Sequence, residues 1–273
     1  MQLTDALILA LIQGATEFLP VSSSGHLAIA GKLLGMHQAP LDFVVTVHFG
    51  TLLAVLVYYR DDLVALARSV LPARAGSDAA ERAQYRRLLA LLLVGTVPAA
   101  IAGYLLEDTV GAAFGDIRLV GVALVVTGLL LAVASRLGGL RQMPQTGLRQ
   151  AVVVGLCQAV ALIPGISRSG TTIVGGLGCG FSREWAPRFA FLLSVPVIAG
   201  GSAVHLMHML AGAASPDFSP GVYGLAALVA AASGYLAIIS VINSVKRGNL
   251  LYFSAYCLLI GFTAIASGFG FTG

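Results

Sequence analysis

Charge is what this chain has least of. Only 10% of its 273 residues are Asp, Glu, Lys or Arg, where soluble proteins carry about 25%. The shortage excludes an ordinary soluble domain, and 58% hydrophobic residues with a mean hydropathy of +0.90 point the same way. Cysteine is also scarce: Cys157, Cys179 and Cys257 sit in apolar or Gly-rich stretches without metal-ligand spacing and read as buried, inert thiols. A basic n-region is missing before the apolar N-terminus, and Asp5 and Glu17 interrupt it, so the start reads as mature protein rather than a signal peptide. The formal charge of +4 comes from basic residues gathered at the ends of apolar runs, which suits topology determinants and not a nucleic-acid partner.

What is present is a set of long apolar runs, at 43–59, 88–106, 119–135, 189–210, 221–243 and 250–270. Each approaches or exceeds the roughly 20 residues a helix needs to cross hydrocarbon. Arg60, Arg68, Arg74, Arg82, Arg86 and Arg87, then Arg136, Arg141 and Arg149, then Lys246 and Arg247 mark alternate connections as cytoplasmic. The connections between carry Glu107, Asp108, Asp116 and Arg118, or Asp217.

Residues 4–34 and 149–180 remain, each broken near its middle, by Pro20 or by Pro164-Gly165. Each half is too short to span comfortably, so a hairpin that enters and leaves on one face is expected for both, although two short spans would preserve the same orientation. The two segments also carry one pattern. Leu11, Gln13, Val21, Ser22, Ser24 and Gly25 recur at equal spacing as Leu156, Gln158, Ile166, Ser167, Ser169 and Gly170. The first hairpin should open outward and the second toward the cytoplasm, which makes an inverted repeat. The expected fold is an all-α integral membrane protein of one domain, 1–273, with about six transmembrane helices and two re-entrant helix-loop-helix hairpins. Repeat one covers about 1–136 with its hairpin at 4–34, and repeat two about 149–273 with its hairpin at 149–180. Broken backbone at membrane depth must be enclosed by protein or line a wet cavity, so the two tips should meet.

The copies differ in chemistry. The first places Ser23 where the second has Arg168, and only the first adds Glu17 and His26. Glu17 lies one helical turn after Gln13, on the same face, and a lipid-facing carboxylate at mid-membrane is too costly to expect. Ser22, Ser23, Ser24 and Gly25 stand at a helix start, where one serine can serve as N-cap and the exposed N–H groups suit phosphate. Ser167, Ser169, Gly170, Thr171 and Thr172 repeat the arrangement around Arg168, whose fork matches paired phosphate oxygens. A structural ion pair between Arg168 and Glu17 is the bland alternative and is compatible with the other. His26 is placed to orient a hydroxyl, act as acid or base, or attack phosphorus. His205 and His208 read as packing or helix-end histidines, and the roles of His48 and Glu184 stay open.

The runs Gln-Gly-Ala-Thr-Glu-Phe-Leu-Pro-Val-Ser-Ser-Ser-Gly-His at 13–26 and Pro-Gly-Ile-Ser-Arg-Ser-Gly-Thr-Thr-Ile at 164–173 resemble the bacitracin-resistance type of undecaprenyl-diphosphate phosphatase. The resemblance extends over the whole chain. It implies an enzyme of the bacterial inner membrane that hydrolyses the terminal phosphate of undecaprenyl diphosphate and recycles the lipid carrier for cell-wall synthesis, with the polyprenyl diphosphate and membrane lipids as its partners. It further implies Glu17, Ser23, His26 and Arg168 as central residues, Ser22, Ser167 and Thr172 as supporting phosphate contacts, and a site working on the outer side. Relatives often carry a second glutamate where this chain has Gln13, which weakens a paired-carboxylate or metal-holding role. Mg2+ or Ca2+ enters through the resemblance alone, held if at all by Glu17 with Gln13. Ser-Gly-His and Ser-Arg also resemble fragments of type-2 phosphatidic acid phosphatases, but that family's Lys-containing motif and its histidine after Ser-Arg are missing. A secondary transporter or lipid flippase is the competing class and a structural scaffold the third. The oligomeric state is left open, a homo-oligomer included.

Overall fold

Six long apolar stretches become six long helices. The computed structural model describes residues 2–36, 40–72, 78–210 and 219–268. Its α-helices are α1 (Leu3–Phe18), α2 (Ser23–Leu33), α3 (Leu41–Tyr58), α4 (Arg60–Val70), α5 (Ala79–Leu105), α6 (Glu107–Ala113), α7 (Ile117–Ala134), α8 (Leu148–Val160), α9 (Arg168–Gly178), α10 (Trp185–Leu210), α11 (Pro220–Lys246) and α12 (Leu250–Gly268). Among the described residues there is no strand, only an isolated bridge between Arg141 and Phe181. Helices α3, α5, α7, α10, α11 and α12 are long and apolar enough to cross a membrane, at the places the runs predict. Large apolar side chains such as Leu93, Ile101, Leu236, Leu259 and Phe262 remain exposed along them, as lipid-facing positions do.

Helices α1, α2, α8 and α9 contain 16, 11, 13 and 11 residues. At about 1.5 Å per residue none matches the roughly 30 Å of hydrocarbon. Polar ends explain where helices begin: Asp78 accepts hydrogen bonds from the Ala80 and Glu81 amides to start α5, and Asp116 does the same for Arg118 and Leu119 at α7. Two helices lie where the sequence suggests only connections. Helix α4 forms because Asp62, Leu66 and Ser69 bury one face while Arg60, Asp61 and Arg68 stay outside, and α6 continues the chain after α5.

The basic connections gather at one end. Arg183 donates to the carbonyls of Ser135 and Leu137, Arg87 to that of Pro144, Lys246 pairs with Glu184 at 2.7 Å, and Arg188 forms an ion pair with Asp62. Arg74 and Asp217 and the side chains of Glu107, Asp108, His205 and His208 lie outside the described residues. Where helices pack most closely the sequence supplies glycine. A Cβ on Gly155 of α8 would collide with the Gly95 carbonyl of α5, and close backbone approach replaces hydrophobic burial as the source of contact between membrane helices.

Candidate active site

Two turns, 19–22 between α1 and α2 and 161–167 between α8 and α9, carry the matched motifs and touch one another. In the first, Pro20 cannot continue α1, and Ser22 turns the chain with φ +69°, the only non-glycine positive φ among the described residues. That conformation is over-determined by its contacts. The Ser22 Oγ accepts from the Gly25 amide at 3.2 Å and meets Ser24 Oγ at 3.1 Å, while the Ser22 carbonyl accepts from the His26 amide and lies 2.8 Å from His26 Nδ1. A carbonyl only accepts, so Nδ1 carries the ring proton and Nε2 takes the hydroxyl hydrogen of Tyr256 at 2.7 Å. With both nitrogens engaged and the ring stacked on Tyr256, His26 is fixed in place and lies off the cavity wall.

The second turn is latched from α7. Thr127 Oγ1 donates to the Gly165 carbonyl at 3.2 Å and accepts from the Ser167 amide at 3.1 Å. Gly165 has φ +95°, and a Cβ there would strike the Val120 carbonyl, so glycine is required. Ser167 repeats the Ser22 bonds: its Oγ caps the Gly170 amide at 3.0 Å and meets Ser169 Oγ at 3.2 Å.

Across the seam, Ser169 Oγ donates to the Leu19 carbonyl at 2.9 Å and the Gly165 amide reaches Ser24 Oγ at 3.5 Å. Arg168 Nη2 donates to Glu17 Oε1 in an ion pair whose carboxylate is 3% exposed. Glu17 Oε2 accepts from Gln13 Nε2 at 2.7 Å and from Ser23 Oγ at 2.6 Å. One carboxylate therefore holds the cation of the opposite copy with one oxygen and the hydroxyl of its own copy with the other. Arg168 Nη1 and Gln13 Oε1 are buried without a partner among the described residues, a costly condition that a ligand oxygen or donor would relieve.

These groups open into a cavity of about 350 Å³. Glu17, Ser22, Ser23, Ser24, Ser167 and Arg168 form its polar floor with His48, and Val44, Val45, Val110, Phe114, Leu162, Val197 and Ile198 its apolar sides. Sequence reasoning placed most of the floor and misplaced some supports. Thr171 and Thr172 turn their hydroxyls back to the carbonyls of Ser167 and Arg168 within α9. Gly25 and Gly170 serve through their capped amides. Gln158 is buried with neither amide atom paired among the described residues, and it lies off the cavity wall. His48, Thr127 and Tyr256 are the participants the motifs did not announce. Each is a single polar residue inside an apolar run, and Tyr256 lies 230 residues from the histidine it holds.

A divalent cation would find few protein ligands of its own here. Among the described residues no three His, Cys, Asp or Glu side chains come together as a metal site, and Glu17, the sole carboxylate on the cavity wall, has both oxygens taken. Gln13 Oε1 adds one neutral oxygen, so Glu17 with Gln13 would hold Mg2+ or Ca2+ only with waters or substrate phosphate oxygens completing the shell.

Fold and site together define a polytopic helical membrane protein in which an arginine, a carboxylate and a serine meet at one cavity. The family model described as "Bacitracin resistance protein BacA" matches residues 6–263. The chain is 39% identical to a protein of Desulforapulum autotrophicum named undecaprenyl-diphosphatase, the match covering 98% of this chain and 99% of that one. Proteins of the same name from Geobacter sulfurreducens and Korarchaeum cryptofilum are 40% and 38% identical, each over 97% of this chain and 98% and 99% of theirs. The chain belongs to the bacitracin resistance protein BacA family.

Proposed function

We propose that this protein hydrolyses undecaprenyl diphosphate to undecaprenyl phosphate and inorganic phosphate, recycling the lipid carrier of cell-wall synthesis and conferring bacitracin resistance. The observation that carries the reading is the Ser23–Glu17–Arg168 constellation at the floor of a cavity with apolar sides. The diphosphate enters the cavity while the isoprenoid tail stays among the apolar helices. Ser23 Oγ, hydrogen-bonded to Glu17, attacks the terminal phosphorus as its proton passes to the carboxylate. Arg168 meets the equatorial oxygens, beginning with its unpartnered Nη1, and the first-turn amides of α2 and α9, which have no partners within their own helices, add fixed positive dipole. Water then releases phosphate from the serine. No step runs through a metal. Ser23 is favoured over His26 as nucleophile because it lies on the cavity wall and carries its base, whereas both His26 nitrogens are engaged.

The inverted repeat belongs to the same reading. Serines 22 and 167 make the same cap and the same Oγ pair. Leu9 of α1 and Leu27 of α2, with Leu34 and Met36 beyond it, pack with Ala226 and Ala230 in the half of α11 far from Lys246. The Arg141 amide instead donates to the Gly180 carbonyl, bringing the end of α9 back toward the start of α8 at the basic end. Both features support re-entrant hairpins entering from opposite faces. Val110 of α6 and Phe114 beside it, in the acidic connection, stand on the cavity wall, which supports opening to the outer side of the cytoplasmic membrane. Phosphate release from a polyprenyl diphosphate by the purified protein in detergent tests the activity. No release would return the fold to the transporter class, which needs no nucleophile.

A further inference from the structure

We propose that His48, which lies outside both matched motifs, is the terminal proton acceptor of the site and takes the Ser23 proton through Glu17. This rests on the phosphatase reading above. His48 stands on α3, away from both turns, yet shares the cavity wall with Ser23 and Arg168. Its Nδ1 is 2.8 Å from the Val44 carbonyl. That oxygen can only accept, so Nδ1 donates to it, and in the neutral ring Nε2 offers a lone pair. The lone pair faces Glu17 Oε2 at 3.7 Å, the oxygen that accepts Ser23 Oγ at 2.6 Å. A separation of 3.7 Å is too long for a hydrogen bond, so no proton is shared along this line at rest. A proton delivered to Oε2 allows a hydrogen bond along the same line.

The arrangement answers a difficulty in the proposed chemistry. Glu17 is committed as an anion to Arg168. Keeping the serine proton there would neutralise one partner of a buried pair and leave the guanidinium uncompensated. Passing the proton to His48 preserves the pair and creates an imidazolium beside the carboxylate. Among the described residues, Glu17 from α1 and Arg168 from α9 are the charged groups that share its cavity wall, and Val44, Val45, Val197 and Ile198 there are apolar.

The step balances. The Ser23 Oγ–P bond forms and the bond from terminal phosphorus to the bridging oxygen breaks, its electron pair leaving with the lipid monophosphate. The serine proton moves to Glu17 Oε2 and on to His48 Nε2. In the second half a water attacks the phosphoserine, the Oγ–P bond breaks, and His48 returns its proton through Glu17 to Oγ. The water's oxygen stays on phosphorus and departs in dihydrogen phosphate, which then gives one of the water's two protons to solvent.

The test measures phosphate release by the full chain in detergent beside binding of a nonhydrolysable polyprenyl methylenediphosphonate. His48→Gln is expected to slow release by about 100-fold or more while the analogue binds as it does to the unaltered protein. For His48→Ala, added imidazole is expected to restore rate in proportion to its concentration. Turnover of His48→Gln within about twofold of the unaltered protein, far below the usual acid–base contribution, would overturn the proposal. So would an imidazole-insensitive His48→Ala that still binds the analogue. Absence of release by the unaltered protein would instead strike the phosphatase reading itself.

Discussion

The two turns share a scaffold and differ in what they present. Each begins its second helix with a serine that caps the amide three residues on and pairs with the hydroxyl two residues on. Chemistry enters at two of the positions where the copies depart: Ser23 opposite Arg168, and Glu17 opposite Leu162. They also solve the turn differently. The second puts its left-handed residue at Gly165, where no side chain is needed, while the first puts it at Ser22 and retains a hydroxyl on the cavity wall. A non-glycine residue there costs on the order of 1–3 kcal/mol, offset by the His26 bonds to the Ser22 carbonyl. The shared pattern thus supplies the frame, and divergence at single positions puts a hydroxyl on one side, the proposed nucleophile, and a guanidinium on the other.

Removing what is unique to each turn should break that comparison most. Ser23→Ala is expected to reduce phosphate release to the assay background with the fold intact. Arg168→Lys keeps the charge and loses the fork, and should lower kcat by about 10²–10³, read in steady-state turnover. Glu17→Gln leaves the Arg168 guanidinium uncompensated and should destabilise the protein by about 3–5 kcal/mol, visible as a lower Tm in detergent. Tyr256→Phe frees His26 Nε2 and loosens only the first turn. One hydrogen bond of about 0.5–1.5 kcal/mol converts to roughly a 2- to 13-fold loss of kcat, with little change in Tm. The smallest effect lies outside the membrane. The Lys246 ammonium, hydrogen-bonded to Glu184, holds that carboxyl below its ordinary range. A depressed folded-state value means the stabilisation is present above the unfolded carboxylate range and lost as pH falls through the folded one. Both side chains are largely solvated, so Glu184→Gln should change stability by less than about 1 kcal/mol at neutral pH.

Spans and motifs were legible because they are written in local patterns. Hydropathy over a helical length locates α3, α5, α7, α10, α11 and α12, and the duplicated serines announce the two turns and the Glu17–Arg168 pair. Helix α4 was not visible as such, since its charges read as a topology signal, and its buried Asp62 finds Arg188 only through the fold. His48 and Tyr256 escaped for a related reason. A lone polar residue in an apolar run has no local partner, and only packing brings one to Glu17 and the other to His26. Thr171 and Thr172 share the motif, and helical geometry directs their hydroxyls to the preceding turn.

The most direct measurement is acid quenching of the protein during turnover of polyprenyl diphosphate labelled in its terminal phosphate, followed by mapping of the bound label. An acid-stable phosphoserine at Ser23, absent from Ser23→Ala, is the predicted result. An acid-labile phosphohistidine at His26, or full turnover by Ser23→Ala, would contradict it.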